Sequence, residues 1–312
     1  MLNFTDFKKE FITTCKNDIS SLACRTGCDN IEIEERSVTK AQQGKLTGLV
    51  FRSPDTAAAP TYYVEDIYSM YRDGTPMDRL SLEIAQNAYH FIHEAPPFPV
   101  ESAAEAFEEP GNLRVRLINK KRNRELLQDV PYSDAGCGLV MIAEVRSGDF
   151  RAVVTRGLLE SFEMSSGELM DRALENTEFS DPAFLADLSE MLVSGQDNCE
   201  NLLGRAPGEV LPLPDSLYVL SNDKFFWGAS ALFYTGMTRR LTELMGGDFY
   251  VLPSSVHEVL LLPVSEGDPY KLAETIHEGN RTVVSSSDFL ADDLMICESG
   301  KLRRVNPGKN VN

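Results

Sequence analysis

The stretch Gly247-Asp-Phe-Tyr-Val-Leu-Pro-Ser-Ser-Val-His-Glu-Val-Leu-Leu-Leu-Pro263 holds two apolar runs, Phe249–Leu252 and Val259–Leu262, around Pro253-Ser254-Ser255. Short apolar runs bounded by Pro and Ser read as strands joined by a turn. Just upstream, Met237, Leu241, Leu244 and Met245 recur at helical spacing, and Gly246-Gly247 supplies the stop. Before them, Leu217–Leu220 and Phe225–Tyr234 read as a hairpin around Asn222-Asp223. Downstream, Asp268-Pro269 opens a helix ending near Gly279, and short strands at Leu294–Cys297 and Leu302–Val305 close the pattern. The order β-β-α-β-β-α-β-β with tight turns implies an α+β fold of antiparallel sheet hairpins packed by helices.

Toward the N-terminus the same logic gives a strand at Leu113–Ile118 and a hairpin from Gly138–Val145 and Phe150–Thr155 across Ser147-Gly148-Asp149. A helical block covers about 157 to 194, with a capping box at Ser165 and Glu168 and a second start at Asp181-Pro182. Residues 205–214, rich in Pro, read as a loop. Phe4, Phe7 and Phe11 mark one face of a helix over Asn3–Asn17. Strands follow at Ile31–Glu35 and Leu46–Phe51, then helices over Tyr62–Tyr71 and from Thr75-Pro76. The face of the last carries Leu82, Ala85, Tyr89 and Ile92. Residues 95–111 are rich in Pro, Ala and Glu, and Pro96, Pro97 and Pro99 cannot continue a helix. They read as an acidic connector, dividing a smaller N-terminal α+β lobe (1–110) from a C-terminal α+β domain (111–312).

Composition narrows the function classes. The chain of 312 residues is 42% apolar and 25% charged, which excludes wholesale disorder. Its formal net charge of −18 opposes nucleic acid and anionic membrane surfaces as partners. No apolar window approaches the roughly 20 residues of a membrane span, and the first ten residues lack a signal-peptide core. The six cysteines, at 15, 24, 28, 137, 199 and 297, are scattered, as expected for reduced thiols in a cytoplasmic protein. Cys15, Cys24 and Cys28 lack the second close pair that a structural zinc site uses. Neither a G-x-G-x-x-G nor a P-loop pattern occurs, and no cofactor is implied.

Several groups of residues carry potential chemistry. Ser254, Ser255, His257 and Glu258 suggest a hydroxyl nucleophile with an imidazole base. In an extended chain Ser255 and His257 share a face while Glu258 points away, so a complete relay needs a carboxylate from elsewhere, such as Asp248. The plainer reading is a turn whose hydroxyls satisfy local amides. His90 and His93, followed by Glu94, offer imidazoles three apart on a helix, a metal-binding pattern or a solvated helix end. Arg114, Arg116, Lys120, Lys121, Arg122 and Arg124 form a basic run that either docks an anion or guards an exposed edge strand. Phe225-Phe226-Trp227 holds the only Trp and reads as core with Phe225 and Trp227 on one strand face. Glu101, Glu105, Glu108 and Glu109 suit a solvated connector or a basic partner.

The run from Gly247 to Pro263 resembles the hallmark stretch of domain-of-unknown-function family 5688, an uncharacterised bacterial family. Leu217-Tyr-Val-Leu-Ser-Asn222, Val38-Thr39-Lys40, Asn123-Arg-Glu-Leu-Leu-Gln-Asp-Val-Pro131 and Leu169 through Ala173 to Glu175-Asn176-Thr177 match in the same order. The resemblance spans roughly Val38 to Lys301, and a remoter likeness to the YtpQ family rests on the helix-then-two-hairpins order. It implies no activity, cofactor or catalytic set, so it transfers no site residue. The expectation is a non-catalytic cytoplasmic protein acting through protein–protein contacts. The alternatives are a Ser/His-dependent hydrolase centred on Ser254 or Ser255 with His257, and a metal-binding protein using His90 and His93.

Overall fold

Phe7 and Phe11 lie fully buried on one face of the first helix, α1 (Phe4–Thr26), with their rings stacked 5.4 Å apart. A computed structural model describes residues 1–26, 31–53, 59–94, 109–147, 150–161, 164–206, 208–211, 217–253 and 255–305. The fold is α+β. Internal contacts divide the chain into two units, Met1–Lys40 with Gly44–Glu105, and Ala41–Gln43 with Ala106–Asn312.

In the first unit α1 outruns the expected end at Asn17, because Cys15, Ile19 and Leu22 continue its apolar face. Strands β1 (Glu32–Lys40), β2 (Gly44–Arg52) and β3 (Thr61–Tyr63) pair antiparallel in that order. Tyr62 and Tyr63 therefore belong to a strand, and α2 (Val64–Arg72) starts after them. Helix α3 (Met77–Glu94) begins as expected, but its buried face is Leu80, Ile84, Ala85, Ala88 and Ile92, and Leu82 is exposed. Hydrophobic burial of Phe51, Leu49 and Val64 against α1 and α3 makes the core of this unit. Strand β1 lies at the sheet edge and exposes Glu32, Glu34, Glu35 and Arg36.

The second unit is built on two sheets. Strand β6 (Leu139–Ser147) pairs with β4 (Leu113–Asn119), β5 (Tyr132–Gly136) and β7 (Phe150–Val153). Strand β5 was not expected, since Ser133, Asp134 and Gly136 are turn-forming residues; its pairing with β6 carries a register shift between Asp134 and Gly136. Helix α4 (Arg156–Ser161) precedes α5 (Ser166–Ser180), whose capping box forms as read, with Ser165 and Glu168 bonded reciprocally. Leu169, Met170 and Ala173 of α5 cover Leu113, Val115, Ala143 and Val145 on one face of the sheet. Thr177 Oγ1 accepts the Val115 amide at 2.9 Å, which fixes the helix on the edge strand.

The second sheet runs in the order β13-β12-β10-β11-β9-β8. Its strands are β8 (Ala183–Asp187), β9 (Tyr218–Asn222), β10 (Phe249–Leu252), β11 (Val259–Pro263), β12 (Met295–Glu298) and β13 (Lys301–Arg304). Between them run α6 (Leu188–Ser194), α7 (Met237–Met245) and α8 (Pro269–Thr282). The pairs β8–β9, β9–β11, β11–β10, β10–β12 and β12–β13 are antiparallel. Leu241, Leu244 and Met245 face the core, and Gly246 ends α7 in the left-handed region at φ 71°.

Two expectations fail here. Asp181-Pro182 opens a strand, β8, because the Asp181 carboxylate is taken by Arg146 and Lys224 instead of capping helix amides. Phe225–Tyr234 is not a strand: Phe225 and Trp227 have positive φ, and Gly228–Phe233 winds into a 3₁₀ helix. Among the described residues no helix is long and apolar enough to cross a membrane.

Candidate functional site

Strand alternation gives the β4-β6-β7 sheet a second face, opposite α5. Cross-strand partners share a face, so Arg114 lies opposite Glu144, Arg116 opposite Ile142, and Arg146 opposite Arg151. One half of this face is apolar, with Ile118, Val140 and Ile142 beneath Leu127 and Val130. The other half is charged and meets the loop after β9. Arg146 donates from Nε and Nη2 to Glu144 Oε1, at 3.2 and 2.8 Å, and from Nη1 to Asp181 Oδ2 at 2.9 Å. Lys224 also bonds Asp181. Burial pushes the Glu144 carboxyl above its usual range, opposed by Arg146, Arg116 and Arg151.

The loop itself is held by its backbone. Asn222 Oδ1 accepts the Lys224 and Phe226 amides, and its Nδ2 donates to Phe226 O at 2.9 Å. Gly228 packs so closely that a Cβ would stand 2.2 Å from Ser221 Oγ and 2.4 Å from Asn222 N. These constraints keep Phe225 and Trp227 left-handed, a conformation L-residues rarely adopt. Phe226 and Trp227 then stack at 4.9 Å, with Arg116 over the indole at 3.2 Å and Arg151 over the phenyl ring at 4.2 Å.

His257 joins this assembly. Its Nδ1 accepts the Trp227 amide at 3.2 Å, so the neutral imidazole carries its proton on Nε2, 3.4 Å from Asp288 Oδ1. Asp288 in turn accepts from Ser285 Oγ at 2.7 Å and from Ser287 Oγ at 3.2 Å. Ser255 Oγ accepts the backbone amide of His257 at 3.0 Å. The segment is bent, not extended, and Ser254 lies outside the described residues. Burial raises the Glu258 carboxyl above its usual range, while His257 and a hydrogen bond with Ser255 pull it back. A cavity of about 320 Å³ is lined by Ser255, His257, Glu258, Ser285 and Asp288 with Phe225. A Ser–His–Asp relay needs the imidazole between hydroxyl and carboxylate. Here Asp288 stands between His257 and Ser285, and both ring nitrogens have backbone or carboxylate neighbours.

The remaining basic run forms a larger feature. A cleft of about 1020 Å³ is lined by Lys120, Lys121, Arg122, Arg124 and Arg304 together with Asp292 and Asp293, with Tyr132 and Phe289 among its walls. Lys120 pairs with Asp134 at 2.6 Å and Arg304 with Asp293 at 3.1 Å. Arg122 lies 4.7 Å over the Phe289 ring. Among the described residues Lys121 and Arg124 have no carboxylate partner, while Arg122 lies in the field of Asp292.

The family model described as a family of unknown function (DUF5688) matches residues 4–296. The chain belongs to DUF5688. No curated protein and no solved structure matches it.

The other candidates of the DUF5688 chain lie apart from this site in the sequence. His90 and His93 are on α3 in the first unit, with the His93 ring 4.3 Å from Tyr89. Among the described residues no group of three or more His, Cys, Asp or Glu is placed to hold a metal ion. Cys15 is buried, and burial beside Asp18 pushes its thiol up to about 12. Cys28, Glu101, Glu105 and Glu108 lie outside the described residues, and Glu109 caps the turn at Pro110–Asn112. Asp248, the distant carboxylate considered for His257, accepts the Ser299 amide instead. Residues the sequence reading missed are Glu144, Arg146, Arg151, Asp181, Lys224, Ser285 and Asp288. The sequence signal for Glu144 and Arg146 is charge on alternate strand positions, and Arg151 is the next charge in the paired strand; Asp181 was legible only as a helix start.

Proposed function

We propose that this DUF5688 protein is non-catalytic and works by protein–protein contact, taking an acidic segment of a partner into the cleft at Lys120–Arg124. The observation that carries this reading is a cleft of about 1020 Å³ lined by Lys121, Arg122 and Arg124, of which Lys121 and Arg124 have no carboxylate partner among the described residues, in a chain of net charge −18. Unpaired cations in a concave wall complement carboxylates, and guanidinium groups add directed hydrogen bonds. The distant negative charge of the chain is screened beyond about 8 Å at physiological salt, so the local basic wall governs docking. The acids of a bound segment would lie toward Lys121 and Arg124, away from the Asp292 and Asp293 carboxylates that also line the cleft. A cytoplasmic setting in a bacterial cell belongs to the same proposal, supported by the family resemblance and by Cys15, Cys24, Cys137, Cys199 and Cys297 being free thiols.

The test is the anisotropy of a fluorescein-labelled Glu-rich decapeptide at two salt concentrations. Saturable binding that weakens with salt is expected, with the double variant Lys121→Glu, Arg124→Glu losing tenfold or more in affinity. Equal affinity in the double variant, or no binding by the parent protein, overturns the reading.

A further inference from the structure

The charged half of the β4-β6-β7 face has no part in the cleft. Like charges directly opposite on a sheet repel, and Arg146 and Arg151 are such a pair. Arg146 is neutralised by Glu144 and Asp181, whereas Arg151, exposed, feels the field of Glu144 but makes no ion pair or hydrogen bond among the described residues. Arg116 also makes no ion pair or hydrogen bond there, and its Nε is buried with no partner. Glu144 and Asp288 are within electrostatic reach of Arg116, but Glu144 is bonded to Arg146 and the Asp288 oxygens already serve Ser285, Ser287 and His257. Cations therefore outnumber the carboxylates around them: Arg114, Arg116, Arg146, Arg151 and Lys224 stand against Glu144, Asp181 and Asp288.

The rings beneath Arg116 and Arg151 are fixed by two left-handed residues and the close packing of Gly228. Strain held by the surrounding structure in this way accompanies functional sites. A guanidinium stacked on a ring keeps its N–H groups in the plane, free to grip an oxyanion in a forked manner. We infer that Arg116 and Arg151, set over Trp227 and Phe226, form a binding site for a phosphate monoester group. A phosphate monoester brings about −1.5 to −2 charges at neutral pH, which offsets the local excess better than one carboxylate does.

Trp227 is the only Trp in the chain, so its emission reports this site directly. The protein is titrated with inorganic phosphate at constant ionic strength, reading emission and titration heat together. A saturable response is expected in at least one, and Arg151→Gln, an exposed position, should weaken it about tenfold. Arg116→Lys, which keeps the charge but not the fork, should weaken it as well, with circular dichroism confirming that both variants are folded. No saturable response in either readout overturns the inference, as does equal affinity in Arg151→Gln. Acetate binding as tightly as phosphate overturns the choice of phosphate.

Discussion

Replacing Arg146 by Met removes the donor that serves two buried carboxylates at once. Glu144 and Asp181 are each 1% exposed, and Arg146 reaches them with bonds of 2.8 to 3.2 Å. Asp181 keeps Lys224, but Glu144 keeps only the weaker fields of Arg116 and Arg151. Breaking a buried pair by removing one partner costs about 3–5 kcal/mol. That is a large part of the roughly 5–15 kcal/mol by which most proteins are stable. The pH dependence follows from Glu144. Its folded pKa already lies above the unfolded value of 4.5, so its contribution is fully present below 4.5 and is lost as pH rises through the folded pKa. Without Arg146 the folded pKa climbs further, and the deficit of the variant widens between pH 5 and pH 7.5. Urea unfolding followed by Trp227 emission, which reports the second unit, measures this. Adding Glu144→Gln to Arg146→Met should recover more than half of the loss at pH 7.5. A loss below about 1 kcal/mol at pH 7.5, or a double variant no more stable than the single one, refutes the reasoning.

Gly228→Ala should destabilise the second unit by about 1–3 kcal/mol or more in urea unfolding, since the new methyl meets Ser221 Oγ, the Asn222 amide nitrogen and His257 O. Gly279→Ala should do the reverse, raising stability by about 0.5–1 kcal/mol in the same assay, because it lies within α8 with no atom within 4 Å of the added carbon. Ser165→Ala removes the cap of α5 and should cost about 1 kcal/mol, visible as faster amide exchange in the first turn of that helix.

Local signals carried much of the fold. The Ser165 and Glu168 box, the Asp268-Pro269 start and the Gly246 stop each act within a few residues, and each forms as read. The misreadings have distant causes. Asp181-Pro182 has the composition of a helix start, but Arg146, 35 positions earlier, takes its carboxylate. Phe225 to Tyr234 has strand-forming side chains, yet Gly228 against Ser221 and His257 forces a 3₁₀ turn. Strand β5 has weak propensity of its own and exists because β6 pairs with it. For the site, the basic run, the Phe-Phe-Trp motif and His257 each stood out alone. That Arg116 covers Trp227 while His257 receives its amide is tertiary information, which periodicity does not carry.

Strand β1 is nine residues long and, among the described residues, pairs on one side only, so its other edge is a template for a strand of another molecule. Its Glu-rich rim makes such an approach unfavourable only while those side chains are ionised. Acid removes this guard by protonating the carboxylates, with Glu34 held below the usual carboxylate range by its hydrogen bond with Arg36. Association through this strand should therefore grow as the pH falls and be opposed at neutral pH, which light scattering across a pH series would register.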